Sequence, residues 1–185
     1  DKYDEETINA MPDGATHPFL FKGDGKLSFT EVSESWGTQK LKGCSNGASY
    51  ADLNNDGNLD LVINCLNAPA LILKNNAPAK NYISFSFAGD SFNTKGVGCK
   101  AWIFASSKMQ YQQLMPARGF MSSSTTQLHF GLDTLKQVDS LLIVWPNQKY
   151  QIIKNPAINK SFTVNKKDAA TDFIYNYFFP VKKEL

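Results

Sequence analysis

Residues 51–65 read ADLNNDGNLDLVINC, and this stretch joins a loop of acidic and amide side chains to an apolar run. The oxygen-bearing side chains alternate around one glycine, Gly57, which permits the positive φ that a sharp turn needs. The run LDLVIN that follows is apolar and rich in β-branched residues, so it predicts a strand and not a helix. We therefore predict a loop inside a β-hairpin.

The side chains of this loop carry the hard oxygen ligands that calcium takes in proteins. Magnesium fits less well, because it keeps its waters and demands octahedral geometry. Position 12, counted from Asp52, is Ile63 and not a bidentate glutamate, so we expect an affinity nearer about 10⁻⁴ M than about 10⁻⁸ M, suited to an extracellular site. The predicted Ca²⁺ ligands are Asp52, Asn54, Asp56, Asn58 and Asp60.

A metal-free turn is the alternative, in which Asn and Asp side chains bond their own backbone. The other Gly/Asp loop, KGDGK at residues 22–26, has one carboxylate between two lysines and predicts a turn only. A catalytic metal would need an open coordination position beside a base, and the neighbouring sequence supplies no base. We therefore predict a structural ion that crosslinks the turn and neutralises its carboxylates, and we predict no catalytic residues.

The rest of the chain shows little helical periodicity and many short β-rich runs between Gly, Asn, Asp and Pro turns, which indicates an all-β chain. The first hairpin is predicted from strands at 19–21 and 27–32. Pro and Asn cluster at residues 75–81, and we place a boundary there. The predicted units are 1–78, 79–168 and a C-terminal β tail at 169–185, in which alternating aromatic residues would share one strand face.

Composition excludes several classes of function. The chain has 185 residues, 42% of them apolar, with a net charge of +2. So small a charge gives no reason to expect nucleic acid as a partner. The sequence contains no 18-residue apolar run, so we expect no membrane-spanning segment. Three cysteines, Cys44, Cys65 and Cys99, allow either three thiols or one disulfide and one thiol.

Two parts of the sequence resemble known families. Residues 48–76, ASYADLNNDGNLDLVINCLNAPALILKNN, resemble an FG-GAP/VCBS repeat, a blade of the calcium-bearing β-propellers related to integrin α heads. The segments NTKGVGCKAWIF, ARGFMSSSTTQLHFGL and VDSLLIVWPNQKYQ resemble, in that order, the ASPIC/UnbV domain, which commonly follows VCBS repeats in secreted and surface proteins. The resemblance implies a propeller-type blade and hairpins packed with a C-terminal antiparallel β-sandwich or barrel-like domain.

One such repeat cannot close a propeller, which takes about four blades or more. The blade therefore packs on the C-terminal domain, or the chain is a piece of a longer protein. The N-terminus lacks a signal peptide's apolar region and is interpreted as a mature start or a cut from a longer chain.

Two single residues stand out in the C-terminal half. Arg118 is the only arginine beside 18 lysines, which indicates a need for its planar five-donor fork. Its partners are either internal carboxylates and carbonyls or an external ligand, so we include it as a candidate ligand-binding residue. His129 lies between Leu128 and Phe130 without a nucleophile elbow nearby, and we predict a structural histidine.

The sequence thus predicts a calcium-stabilised binding or adhesion module, secreted, periplasmic or at the cell surface, that recognises a glycan or a protein ligand. The alternative is a non-catalytic structural part of a larger surface carbohydrate-processing assembly. An enzyme would need a deep pocket with paired carboxylates or an open metal position, and we predict that the chain is not one.

Overall fold

The computed structural model describes residues 6, 10, 14–66 and 68–179. The N-terminal unit consists of two small antiparallel sheets. The first is a hairpin of β1 (Phe21–Gly23) and β2 (Phe29–Glu31). The second has the order β3-β4-β5, with β3 at Cys44–Ala51, β4 at Asp60–Leu66 and β5 at Leu71–Leu73.

The C-terminal unit contains a three-stranded and a five-stranded sheet, followed by one short helix. The three-stranded sheet has the order β12-β6-β9, formed by Ser161–Asn165, Asn81–Ala88 and Gln127–Asp133. The five-stranded sheet has the order β13-β11-β10-β7-β8, formed by Thr171–Asp172, Lys149–Lys154, Ser140–Val144, Lys100–Ala105 and Lys108–Gln113. The helix α1 is Tyr175–Phe178, and Lys166–Asp168 form a 3-10 turn.

The main core lies between these two sheets. Alternate residues of β6 and β9, such as Phe85 and Phe130, are fully buried and stack with their ring centroids 5.9 Å apart. They pack with inward residues of the opposite sheet, among them Ile103 and Ile143, in one cluster. This arrangement of two packed sheets is a β-sandwich, in which inward and outward residues alternate along each strand.

The five-stranded sheet is buried on its outer face as well. Trp102, Leu142 and Val144 form a second cluster there, covered by aromatic residues that include Phe173 and Phe178. Because β10 is covered on both faces, its sequence is a continuous apolar run instead of an alternating one. The C-terminal tail is the element that supplies this cover.

The prediction of an all-β fold with hairpins and a C-terminal sandwich is confirmed, with two corrections. Strand β12 pairs in parallel with β6, whereas we expected only antiparallel pairing. The tail forms a strand only at Thr171–Asp172 and turns into α1, so the expected run of alternating aromatics on a strand is wrong over Tyr175–Phe178. Its last six residues, 180–185, lie outside the described residues.

Two further predictions concern thiols and membranes. Cys65 and Cys99 are buried thiols, and neither forms a disulfide. Burial raises the pKa of the Cys99 thiol to about 12. Within residues 14–66 and 68–179, no helix has both the length and the apolarity needed to cross a membrane.

Candidate functional site

The first candidate site is the loop between β3 and β4, residues 52–60, here called the Asp loop. Asp52 closes it from one side, since its Oδ1 accepts a hydrogen bond from Asp56 N at 3.1 Å and its Oδ2 accepts one from Gly57 N at 2.9 Å. Gly57 has φ +88°, the positive value predicted from its place in the turn. The loop therefore folds back over its own first carboxylate.

Asp56 is the second carboxylate of the Asp loop and lies at the surface. Its Oδ1 accepts a hydrogen bond from Asn58 N at 2.9 Å, and its Oδ2 accepts one from Asn54 Nδ2 at 2.8 Å. The Asn58 N–H, then the Asn54 amide, hold the pKa of Asp56 below its ordinary value, and Lys74, 3.8 Å away, acts in the same direction. Asp56 is therefore held as a carboxylate.

Asp60 is the third carboxylate and is only 2% exposed. Its Oδ2 accepts a hydrogen bond from Leu53 N at 3.1 Å, and its Oδ1 accepts one from Asn75 N at 2.8 Å. Asp60 thus ties the start of the loop to the segment after β5. Asn58 has a similar outward tie, since its Nδ2 donates to Ala77 O at 3.2 Å.

The structure thus brings Asp52, Asn54 and Asp56 together around the loop backbone. Asp60 bonds both the loop and the segment after β5, and the Asn58 amide donates to that segment. In the part of the chain that is described, no group of three or more Asp, Glu, His or Cys side chains has the arrangement of a metal centre. The side chains of Asp52, Asn54 and Asp56 instead accept hydrogen bonds from the loop's own backbone, as in the metal-free turn that the sequence left as the alternative. A calcium ion here would need amide and backbone oxygens beside the carboxylates. Each carboxylate oxygen that accepts one N–H keeps a second lone pair for an ion.

The Asp loop also packs on the C-terminal unit. A Cβ added at Gly57 would lie 2.3 Å from the ring of Tyr82, so the tyrosine lies directly against the loop backbone. Tyr82 in turn stacks on His129, with ring centroids 5.1 Å apart and planes 9° apart. This contact explains why a residue without a side chain is needed at position 57.

His129, which the sequence predicted to be a structural histidine, lies on β9 and is half-buried. Its ring is partly buried beneath Tyr82, and burial lowers its pKa, while the nearby carboxylate of Asp52 acts in the opposite direction. The imidazole is therefore neutral near pH 7.

The second candidate site is Arg118, which lies in the loop between β8 and β9. The guanidinium donates from Nε to Met115 O at 3.1 Å and from Nη2 to Gln113 O at 3.3 Å. Internal carbonyl partners were one of the two alternatives predicted for this arginine. They use two of its five N–H donors, and no Asp or Glu of the described chain forms an ion pair with it. The residue as a whole is exposed.

Arg118 lines an open cleft of about 620 Å³ between the N-terminal sheet and the C-terminal unit. We call it the Arg118 cleft. Its walls bring together two tyrosines, three glutamines and one histidine: Tyr50, Tyr111, Gln112, Gln113, Gln127 and His129. Among the described residues, no aspartate or glutamate lines it. Arg118 also borders a second, more apolar concavity of about 520 Å³ that reaches Phe19 and Phe120.

Sequence reasoning identified Arg118 but missed the glutamines and tyrosines beside it. These residues come from three separate strands, β3, β8 and β9, of which β3 belongs to the N-terminal unit. The contact between the two units is close, since Ser49 Oγ lies 3.5 Å from Ser124 Oγ and a Cβ on Gly47 would approach Ser122 Oγ to 2.7 Å. Glutamines carry no spacing signature, so no local signal pointed to them.

Comparison with known families bears on the C-terminal unit. None of the curated proteins compared with this chain matches it. The family match does not reach the Asp loop, so the resemblance of residues 48–76 to an FG-GAP/VCBS repeat stays a prediction. Residues 89–171, which form most of the sandwich and include Arg118 and His129, match the family model described as ASPIC and UnbV.

Proposed function

We propose that this chain is a calcium-stabilised, non-catalytic module of an exported protein that binds a glycan or a protein ligand. The observation that carries the proposal is the Arg118 cleft, an open surface concavity lined by rings, amides and one fixed guanidinium. Such a lining combines apolar contact area with a few placed polar groups, which is what recognition sites need.

The titratable groups support binding over catalysis. Acid–base catalysis relies on groups whose pKa values are moved toward the working pH. In the Arg118 cleft, His129 is partly buried, stacked on Tyr82 and has a lowered pKa. The carboxylates with shifted pKa values, Asp56, Asp90 and Asp133, are all shifted downward by hydrogen bonds and lysines at the surface. They act as fixed anions.

Calcium in this proposal stabilises the Asp loop. The proposed ligands are the side-chain oxygens of Asp52, Asn54, Asp56, Asn58 and Asp60. The ion would offset repulsion among the carboxylates and order the turn. Because Gly57 packs on Tyr82, an ordered loop also supports the contact between the two units.

A second function, as a structural part of a larger surface assembly, rests on a separate observation. The β1–β2 hairpin and the turn after it expose large apolar side chains that the described chain leaves uncovered: Phe21, Leu27, Phe29 and Trp36. Contiguous exposed apolar surface marks contact sites with other proteins or domains. A neighbouring domain that covers this hairpin would make the chain a spacer or scaffold.

Thermal melting tests the calcium part of the proposal. We expect Tm to rise when EGTA is replaced by about 1 mM Ca²⁺, and we expect Asp52→Ala to abolish this rise. The matched control is Asp24→Ala, since Asp24 also accepts backbone hydrogen bonds, from Lys26 N and Ser28 N, but lies in a turn with a single carboxylate. A calcium response that persists in Asp52→Ala, or is lost in Asp24→Ala, would contradict the ligand assignment.

The binding part is tested by an array of glycans and purified surface proteins probed with the labelled chain in calcium buffer. We expect at least one ligand class to bind in a saturable manner. An array without saturable binding, together with a hairpin that becomes protected only when neighbouring domains are present, would favour the structural role instead.

A further inference from the structure

The guanidinium of Arg118 is held in a fixed orientation but is not neutralised. It donates two hydrogen bonds, one to Gln113 O at the end of β8 and one to Met115 O in the loop that follows. Both acceptors are uncharged, and the other N–H groups donate to no described residue, while Arg118 is exposed and lines the cleft. A planar guanidinium fork matches a carboxylate through two parallel hydrogen bonds. Since the side chain is already ordered, a ligand that uses it loses little further conformational entropy.

The three glutamines of the Arg118 cleft are held in a common manner. Each donates from Nε2 into the protein: Gln112 to His129 O at 2.7 Å, Gln113 to Gly98 O at 3.4 Å, and Gln127 to Ser161 Oγ. Their Oε1 atoms accept no hydrogen bond from the described residues. These three amide oxygens of cleft-lining residues therefore keep their capacity to accept hydrogen bonds from hydroxyl groups.

Aromatic surface completes the cleft. Tyr111 is 46% exposed, and the other side of its ring rests on Trp102 with centroids 4.8 Å apart. Tyr50 contributes a second, half-buried ring from β3. Tyrosines offer a broad apolar face together with a hydroxyl group. Such faces suit ligands with both C–H and O–H groups on one ring, and the volume of about 620 Å³ admits more than one sugar ring.

The charges of the lining narrow the ligand class. Arg118 is the only permanently charged side chain that lines the cleft within the described chain. A sulfated or phosphorylated polyanion would be expected to meet several lysines or arginines. One guanidinium beside several hydroxyl acceptors instead fits a ligand with one carboxylate per sugar and many hydroxyls.

We propose that the Arg118 cleft binds an acidic oligosaccharide and that Arg118 pairs with the carboxylate of a uronic acid residue. The amide oxygens of the three glutamines accept hydrogen bonds from the sugar hydroxyls, and Tyr111 packs against the C–H face of a ring. This inference rests on the proposed binding function and specifies its site and its ligand.

Isothermal titration calorimetry tests the proposal with the tetramers of galacturonate and mannuronate, a neutral galactose tetramer and tetraglutamate as probes. Calcium is kept at one concentration in syringe and cell, because uronates bind calcium themselves. We expect at least one uronate tetramer to bind. The neutral tetramer should bind with an affinity lower by about tenfold or more, because it lacks the charged hydrogen-bond pair with Arg118.

Three variants locate the site. Arg118→Lys keeps the charge but removes the fork, and we expect it to weaken uronate binding by about tenfold or more. Gln113→Leu should weaken it to a lesser extent. The matched control is Lys136→Ala, which removes an exposed positive charge that does not line the cleft, and it should leave binding within about twofold.

Several results would overturn the proposal. They are the absence of binding to both uronates, equal binding of the neutral tetramer, and unchanged binding by Arg118→Lys. Stronger binding of tetraglutamate would indicate an acidic peptide as the partner instead. If the array finds another glycan or protein that binds independently of Arg118, the inference fails and the proposed binding function stands. An array without saturable binding refutes the binding function itself.

Discussion

Removal of the Asp60 carboxylate should destabilise the N-terminal unit even when calcium is absent. Asp60 is 2% exposed, and its two oxygens accept hydrogen bonds from the backbone N–H groups of Leu53 and Asn75 at 3.1 and 2.8 Å. A hydrogen bond to a charged group contributes about 1.5–3 kcal/mol to stability. When the carboxylate is removed, water can partly replace it as the acceptor for these two amide N–H groups, so the loss is smaller than the sum of two such bonds. We therefore expect Asp60→Ala to lower the free energy of unfolding by about 2–4 kcal/mol. Asp60→Asn keeps one acceptor and should cost about half as much.

Urea unfolding in EGTA measures this loss without any contribution from calcium. For a chain of this size, 2–4 kcal/mol corresponds to a fall in Tm of about 5–15 °C. Amide hydrogen exchange should also accelerate at Leu53 and Asn75. The control is Asp172→Ala, because Asp172 is exposed and forms only a surface ion pair with Lys149, worth about 0–1 kcal/mol. If the two variants lose equal stability in EGTA, Asp60 does not anchor the loop through these hydrogen bonds.

Two further predictions concern the contact between the Asp loop and the sandwich. Gly57→Ala introduces a Cβ 2.3 Å from the Tyr82 ring at φ +88°. It should lower Tm more than Gly25→Ala, where φ is +76° but nothing lies within 4 Å of the added Cβ. Equal losses of Tm would show that only the backbone strain of a positive φ matters, and not the contact with Tyr82. Because burial, opposed by Asp52, lowers the pKa of His129, the unfolded chain binds its proton more tightly and stability falls as the pH drops below about 6.5. His129→Gln should therefore flatten the decline of Tm between about pH 7 and pH 5, and an equally steep decline would count against a buried neutral imidazole.

Local patterns predicted the strands well because their causes are local. The Gly57 turn and the β-branched run after it led directly to β4, and the hairpin of β1 and β2 followed from its Gly-Asp-Gly turn. Strand pairing cannot be predicted in this way. The sequence of β12 indicates an extended conformation but not the strand with which it pairs. Its parallel pairing with β6 depends on the packing of both sheets.

The tail shows how one pattern can fit two structures. Alternating aromatic residues predicted a strand, but Phe173 and Phe178 both reach the outer face of the five-stranded sheet when the chain turns helically between them. Burial of aromatic surface thus decided the conformation over the period-two pattern. The Arg118 cleft could not be predicted from local patterns either, because it forms only where separate segments of the chain meet.

Strand β6 is the central strand of the three-stranded sheet, and it has a consequence for how the chain can be divided. The ASPIC and UnbV match covers residues 89–171, whereas β6 ends at Ala88 and contributes Ile83, Phe85 and Phe87 to the main core. A recombinant fragment limited to the matched residues would lack the strand that joins β12 to β9, and its apolar interior would face solvent. A fragment meant to retain this core should therefore begin at or before Asn81, upstream of the first matched residue.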